Sequence, residues 1–135
     1  MELNIREIHQ GEEYKTYTLA LFTSWEDDMR GFELQRNLRE SGDPRAPRPP
    51  FNSYCVVNER HKTSFGGVTE VALEGDVLKI KFSEQAKEEL DLPTDEVSLV
   101  LNNLENDEIE NLKAGLARVF SYGPVDLLPN LRITD

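Results

Sequence analysis

The sequence predicts an α+β fold, a mainly antiparallel sheet of about five to six strands with two helices packed on it. Segments with strand-like patterns come first in the chain, a hairpin with a well-defined register follows, and helical segments appear late. Strands that are grouped in this way, and do not alternate one by one with helices, favour antiparallel pairing over βαβ units.

The first predicted hairpin lies near the N-terminus. Residues 14–23, "YKTYTLALFT", are rich in aromatic and β-branched side chains, which is typical of a strand. Residues 32–38, "FELQRNL", place Phe32 and Leu34 on one face and polar side chains on the other. The polar segment 24–31 between them is expected to form the turn.

A proline-rich loop follows within what we expect to be one domain of residues 1–135. Residues 41–50 contain four prolines, so they are predicted to form neither a helix nor an inner strand. Residues 54–71 then predict two strands joined by a polar loop. The C-terminal tail, residues 123–135, is apolar enough to dock on the rest of the domain.

Residues 69–82 predict the clearest hairpin, with Gly75 and Asp76 as its two-residue turn. In this register Glu70 faces Lys81, and one face of the hairpin is entirely apolar. A shift of one residue would spoil both faces, which makes the register specific. The apolar face comprises Val71, Leu73, Leu78, Ile80 and Phe82.

Two helices with a strand between them complete the prediction. The first helix, 84–92, begins after a Ser83 cap and ends before Pro93. The strand, 96–101, points Val97, Leu99 and Leu101 inward. The second helix, 106–120, is amphipathic and ends at Gly123-Pro124. Its core face comprises Ile109, Leu112, Leu116 and Val119 or Phe120.

The charge of the chain is concentrated in one segment. The net charge is −11, and residues 70–110 hold 13 acidic and 3 basic side chains. Nucleic-acid binding needs clustered lysine and arginine, so it is not expected. Such a surface attracts a basic protein partner, but the charge alone favours the simpler interpretation, an acidic surface that only keeps the protein soluble. No run of residues is apolar enough for a signal peptide or a membrane span, which favours a cytoplasmic protein.

The side chains that could carry chemistry are few and do not form a recognised motif. Cys55 is the only cysteine and lies in an apolar strand, so we interpret it as structural. His61 lies in the polar loop that follows, and the histidines lack the paired spacing of a zinc site. Gly66-Gly67 precedes a strand without the lysine of a phosphate loop, and predicts a bulge or a close backbone approach. We therefore expect no catalytic, cofactor or metal residues.

Several short motifs together resemble the immunity protein 10 family of bacterial polymorphic toxin systems. They are Tyr54-Cys55, an aromatic residue before Gly66-Gly67-Val68, the L-x-G-x-x-L hairpin around Gly75, the acidic helix after Ser83, and "LKAGLARVF" at 112–120. The resemblance covers residues 14–122 in outline and is specific over 54–120. The proline-rich loop and the tail after Gly123 depart from the family pattern.

The resemblance implies a protein that neutralises a cognate toxin domain in the cytoplasm of the producing bacterium, without catalysis and without a cofactor. From the charge pattern we expect an acidic surface that covers the active site of a basic toxin such as a nuclease. A homo-oligomer is compatible with this role. The candidate partner-binding residues are Glu84, Glu88, Asp91, Asp95 and Glu96, with Trp25, Asp27 and Asp28 in the first turn.

Two alternatives remain at this stage. One is a small ligand-binding or enzymatic α+β domain with a pocket between sheet and helices, where Tyr54, His61 and Ser64 would converge. The other is a structural subunit that assembles through sheet edges or through its tail.

Overall fold

The computed structural model describes residues 1–24, 28–40 and 42–133. Within these residues the chain forms two α-helices, α1 (Glu84–Glu89) and α2 (Asn106–Phe120), and a short 3-10 helix, Val125–Leu127. It also forms ten strands: β1 (Glu2–Asn4), β2 (Glu7–Glu13), β3 (Thr16–Phe22), β4 (Gly31–Asn37), β5 (Cys55–Asn58), β6 (Thr63–Phe65), β7 (Val68–Glu74), β8 (Val77–Phe82), β9 (Glu96–Val100) and β10 (Asn130–Arg132).

The described strands make two five-stranded sheets. The first sheet has the order β1-β9-β8-β7-β10, in which the two edge strands pair in parallel and the inner strands are antiparallel. The second sheet has the order β2-β3-β4-β5-β6 and is antiparallel throughout. The predicted α+β class is confirmed, but the expectation of one sheet with five to six strands is wrong.

A pair of glycines carries the chain from one sheet to the other. Only Gly66 and Gly67 separate β6 in the second sheet from β7 in the first. Gly66 adopts a φ of +68°, a left-handed conformation that favours glycine. At Gly67 an added Cβ would lie 2.4 Å from the Cβ of Ala86 in α1. The close backbone approach predicted for this dipeptide is therefore confirmed, and its role is to connect the two sheets.

One hydrophobic cluster joins the inner faces of both sheets and α2. The second sheet contributes Tyr17, Leu19, Leu21, Phe32, Leu34 and Val56, and the first contributes Val71, Leu78, Ile80, Val97 and Leu99. The predicted core face of α2 is confirmed for Leu112, Leu116, Val119 and Phe120, while Ile109 is half-buried. The ring of Phe120 meets that of Tyr54 edge to face, with 5.0 Å between centroids.

The locally specified elements form as predicted. Residues 69–82 have the predicted pairing, including Glu70 with Lys81. The Ser83 hydroxyl accepts the N–H of Ala86 at 3.1 Å and caps α1. However, α1 ends at Glu89, earlier than expected.

The C-terminal tail docks on the first sheet. After α2 ends at Phe120, as predicted, the chain forms the 3-10 helix, and β10 then pairs with β7. The buried Tyr54 hydroxyl lies 2.8 Å from the carbonyl oxygen of Leu127 and accepts the N–H of Val68 at 3.1 Å. Tyr54 thus links the C-terminal tail to the first residue of β7, just after Gly66-Gly67. Neither described α-helix is long or apolar enough to cross a membrane.

Candidate partner-binding surface

The acidic residues predicted around α1 lie at the surface but do not form one helical stripe. Glu84 and Glu88 are exposed on α1. Asp91 lies beyond the helix with a φ of 54°, so the expected i, i+4, i+7 stripe stops at Glu88. The Asp91 carboxylate instead forms an ion pair with Arg60 at 3.2 Å.

The other predicted residues fall into two groups. Asp95 is exposed just before β9, and Glu96 in β9 lies 3.8 Å from the ammonium group of Lys81. Asp28 is exposed between β3 and β4. Trp25 and Asp27, which belong to the same turn, lie outside the described residues.

The second sheet presents a cleft on the face that points away from the core. Along β3, Leu19 and Leu21 point into the core, while Thr18, Ala20 and Phe22 point the other way. Together with β2, Met29, Glu33 and the β5–β6 connection, these outward residues line a cavity of about 550 Å³, which we call the sheet cleft.

The sheet cleft carries more negative than positive charge. Four glutamates line it, and none of its lining residues is a lysine or arginine. Two of them have partners at the rim: Glu12 pairs with Arg118 at 2.6 Å, and Glu59 pairs with Arg30 at 3.2 Å. In the described part of the chain, no ion pair forms at the other two, Glu13 and Glu33. Among the residues that the structure describes, these two carboxylates of the cleft thus have no cation at ion-pair distance.

The rim of the sheet cleft is attached to the end of α1. The buried Asn58 side chain donates to the carbonyl oxygen of Leu90 at 2.8 Å. Two residues further on, Arg60 donates to both the carboxylate and the carbonyl oxygen of Asp91. The β5–β6 connection therefore holds Leu90 and Asp91, at the end of α1, beside the cleft.

The residues proposed for a pocket between sheet and helices do not converge. Tyr54 is fully buried, and Ser64 faces a second cavity of about 480 Å³, where its hydroxyl donates to Glu89. His61 instead lines the sheet cleft, which is on the outer side of the sheet. The predicted convergence is therefore wrong, because His61 belongs to the β5–β6 connection and lies at the outer face, whereas Tyr54 and Ser64 are buried on the inner side.

Cys55 has the environment of a structural thiol. It is half-buried in β5, and burial, together with the nearby Glu33 carboxylate, raises its pKa to about 11. A thiol with such a pKa is almost entirely protonated at neutral pH and is a poor nucleophile. Among the described residues, no group of three histidine, cysteine or acidic side chains is arranged to hold a metal ion.

The chain matches a family model described as Immunity protein 10 over residues 4–110. It belongs to the immunity protein 10 family. The match confirms the resemblance and extends it upstream to residue 4, while the "LKAGLARVF" segment of α2 lies beyond its end. Neither a curated protein nor a solved structure matches the chain.

The immunity protein 10 match includes the residues that form the sheet cleft and α1. Membership of an immunity protein family implies a cognate toxin as the partner. The cleft was missed at the sequence level, although β3 carried a signal for it. Ala20 and Phe22 are apolar at outward positions, where a strand with one solvated face normally carries polar side chains.

Proposed function

We propose that this protein binds its cognate toxin in the cytoplasm of the producing bacterium and covers the active site of the toxin with an acidic surface. The observation that carries the proposal is the family match, which implies a toxin partner. The proposed surface comprises the exposed carboxylates of and near α1 and the adjoining sheet cleft. In this scheme the protein neutralises the toxin by binding it reversibly, and no catalytic step is assigned to the protein.

The charge of this surface supports a basic toxin as the partner. Glu84, Glu88 and Asp95 are exposed, and no ion pair forms at any of them in the described ranges. Complementary charge steers two proteins together and raises their association rate, most strongly at low salt. A nuclease-like toxin holds the phosphates of its substrate with lysine and arginine side chains. An acidic surface placed on those side chains would compete directly with the substrate.

The test is co-expression with the toxin domain encoded beside this gene. We expect cells that make both proteins to survive and a complex to co-purify, with an affinity that falls as salt rises. The double variant Glu84→Lys/Glu88→Lys should weaken the complex and leave the fold intact.

The matched control for this variant is Glu2→Lys/Asp76→Lys. It makes the same charge change at two exposed carboxylates, and Asp76 lies at the end of β8 away from α1. If the two double variants have equal affinities, α1 is not part of the surface. If the wild type neither binds nor protects, the proposed function is wrong.

A further inference from the structure

We infer that the sheet cleft receives a segment of the toxin that carries a lysine or arginine, and that Glu33 pairs with this cation. The inference rests on the proposed function and specifies where in the acidic surface the decisive charge pair forms. Three observations support the inference: the position of Glu33, the charge balance of the cleft and the apolar floor of the cleft.

Glu33 lies in the centre of the sheet face. It belongs to β4, the middle strand of the second sheet, and pairs in register with Ala20 on one side and Val57 on the other. Its side chain is half-buried there, and no described cation forms an ion pair with it. Withdrawing a carboxylate from water is unfavourable unless a cation or hydrogen-bond donors compensate. A cation from the toxin would provide that compensation.

The charge balance favours the cleft over α1 as the place for a strong charge pair. Arg118 and Arg30 already pair with Glu12 and Glu59 at the rim, which leaves Glu33 and Glu13 to attract a partner. The glutamates of α1 stand in solvent, where an ion pair contributes little to affinity. A pair formed inside a cleft is screened less, so its loss has a larger effect.

The floor of the cleft suits the stem of a long basic side chain. Ala20, Phe22 and Met29 line it, and the stems of lysine and arginine are hydrocarbon chains that pack on apolar surfaces. The cavity volume, about 550 Å³, is within the range of sites that hold whole small molecules. The cleft therefore has room for the residues that flank the cation as well.

The test compares the affinity of the neighbouring-gene toxin domain for four variants by calorimetry. Glu33→Gln removes the charge at constant shape, and Thr18→Arg places a competing cation in the cleft. We expect each to weaken binding by at least roughly tenfold, because losing one partner of a charge pair inside an interface leaves the other charge unpaired. The controls are Glu2→Gln on the other sheet and Thr63→Arg, which adds a cation to the same sheet face outside the cleft. Both controls should stay within about twofold of the wild type, because surface charges away from a contact change affinity little.

The outcomes separate the two proposals. If the wild type binds and both cleft variants bind equally well, the cleft assignment is overturned while the proposed function stands. If the wild type neither binds nor protects, both are overturned. Melting temperatures show whether each variant is folded, and if Thr18→Arg fails to fold, the isosteric Glu33→Gln decides alone.

Discussion

The contact between Gly67 and α1 makes a sharp prediction about stability. In Gly67→Ala the new Cβ would lie 2.4 Å from the Cβ of Ala86 and 2.8 Å from the hydroxyl oxygen of Ser64, whereas ordinary contacts begin at 3.4 Å. The helix must therefore move by about 1 Å, the difference between 3.4 and 2.4 Å. This movement disturbs Ala86 and Leu90, which are both completely buried.

Overpacking of a buried site typically costs 1–3 kcal/mol, and we expect about 3 kcal/mol because a Cβ cannot rotate away from the clash. For a chain of this size the melting temperature should fall by about 10 °C. Urea titration gives the free energy of unfolding, with an unchanged slope if only the native state is affected. In the control, Gly11→Ala, the added Cβ meets nothing within 4 Å and stability should not fall.

A double-mutant cycle identifies the cause. Ala86→Gly alone should cost about 1 kcal/mol through helix propensity. In the double variant, Gly67→Ala/Ala86→Gly, the Cβ–Cβ clash is gone and only the 2.8 Å contact with the Ser64 hydroxyl oxygen remains, so we expect a coupling energy of about 2 kcal/mol relative to the sum of the single changes. If the free-energy changes of the two single variants simply add, or if Gly67→Ala is as stable as the wild type, the close approach between Gly67 and α1 is refuted.

Three further predictions concern the core and its connections. Tyr54→Phe removes the hydroxyl that joins Leu127 to Val68. Urea titration should show a free energy of unfolding lower by about 2 kcal/mol, and an unchanged free energy would contradict this link. Ser83→Ala should cost about 1 kcal/mol through the lost cap of α1, and an unchanged urea midpoint would argue against the cap. Burial raises the pKa of Cys55 to about 11 and that of Tyr54 to about 12, so at high pH the folded state retains protons that the unfolded state releases. The free energy of unfolding should therefore fall as pH rises from about 9 to 12. In Cys55→Ala the decline between pH 9 and 11 should be smaller; an identical pH profile would show that the thiol is not responsible.

Features encoded by neighbouring residues were predictable from the sequence. The hairpin at 69–82 combines a glycine-containing turn with an apolar face that only one register preserves. The cap at Ser83 and the core face of α2 depend on residues within a few positions of each other. In these segments the local signal and the final packing agree.

Features that depend on distant pairing were not predictable. β1 has only three residues and pairs with β9, so that Glu2 lies beside Ser98, a residue remote from it in sequence. β2, "EIHQGEE", is an exposed edge strand without the apolar alternation that reveals a strand. The division into two sheets follows from which strands pair, and Gly66-Gly67 showed only that the backbone approaches something closely.

The same distinction applies to the candidate site. The exposure of Glu84 and Glu88 followed from helical spacing, but the early end of α1 separated Asp91 from them. The polar side chains of β4, Glu33 among them, lie opposite Phe32 and Leu34, as the alternation in residues 32–38 predicted. Its place in a cleft depends on how β2, β3, β4 and the β5–β6 connection are arranged together, so the alternation of one strand was not sufficient to reveal it.

The most direct test of the account is amide hydrogen exchange of the wild type, alone and with the neighbouring-gene toxin domain. We predict that the toxin slows exchange in β2, in the β5–β6 connection and at the end of α1, the segments that border the sheet cleft. Protection confined to other surfaces, such as the turn between β7 and β8, or no complex at all, would contradict the claim that this acidic surface binds the toxin.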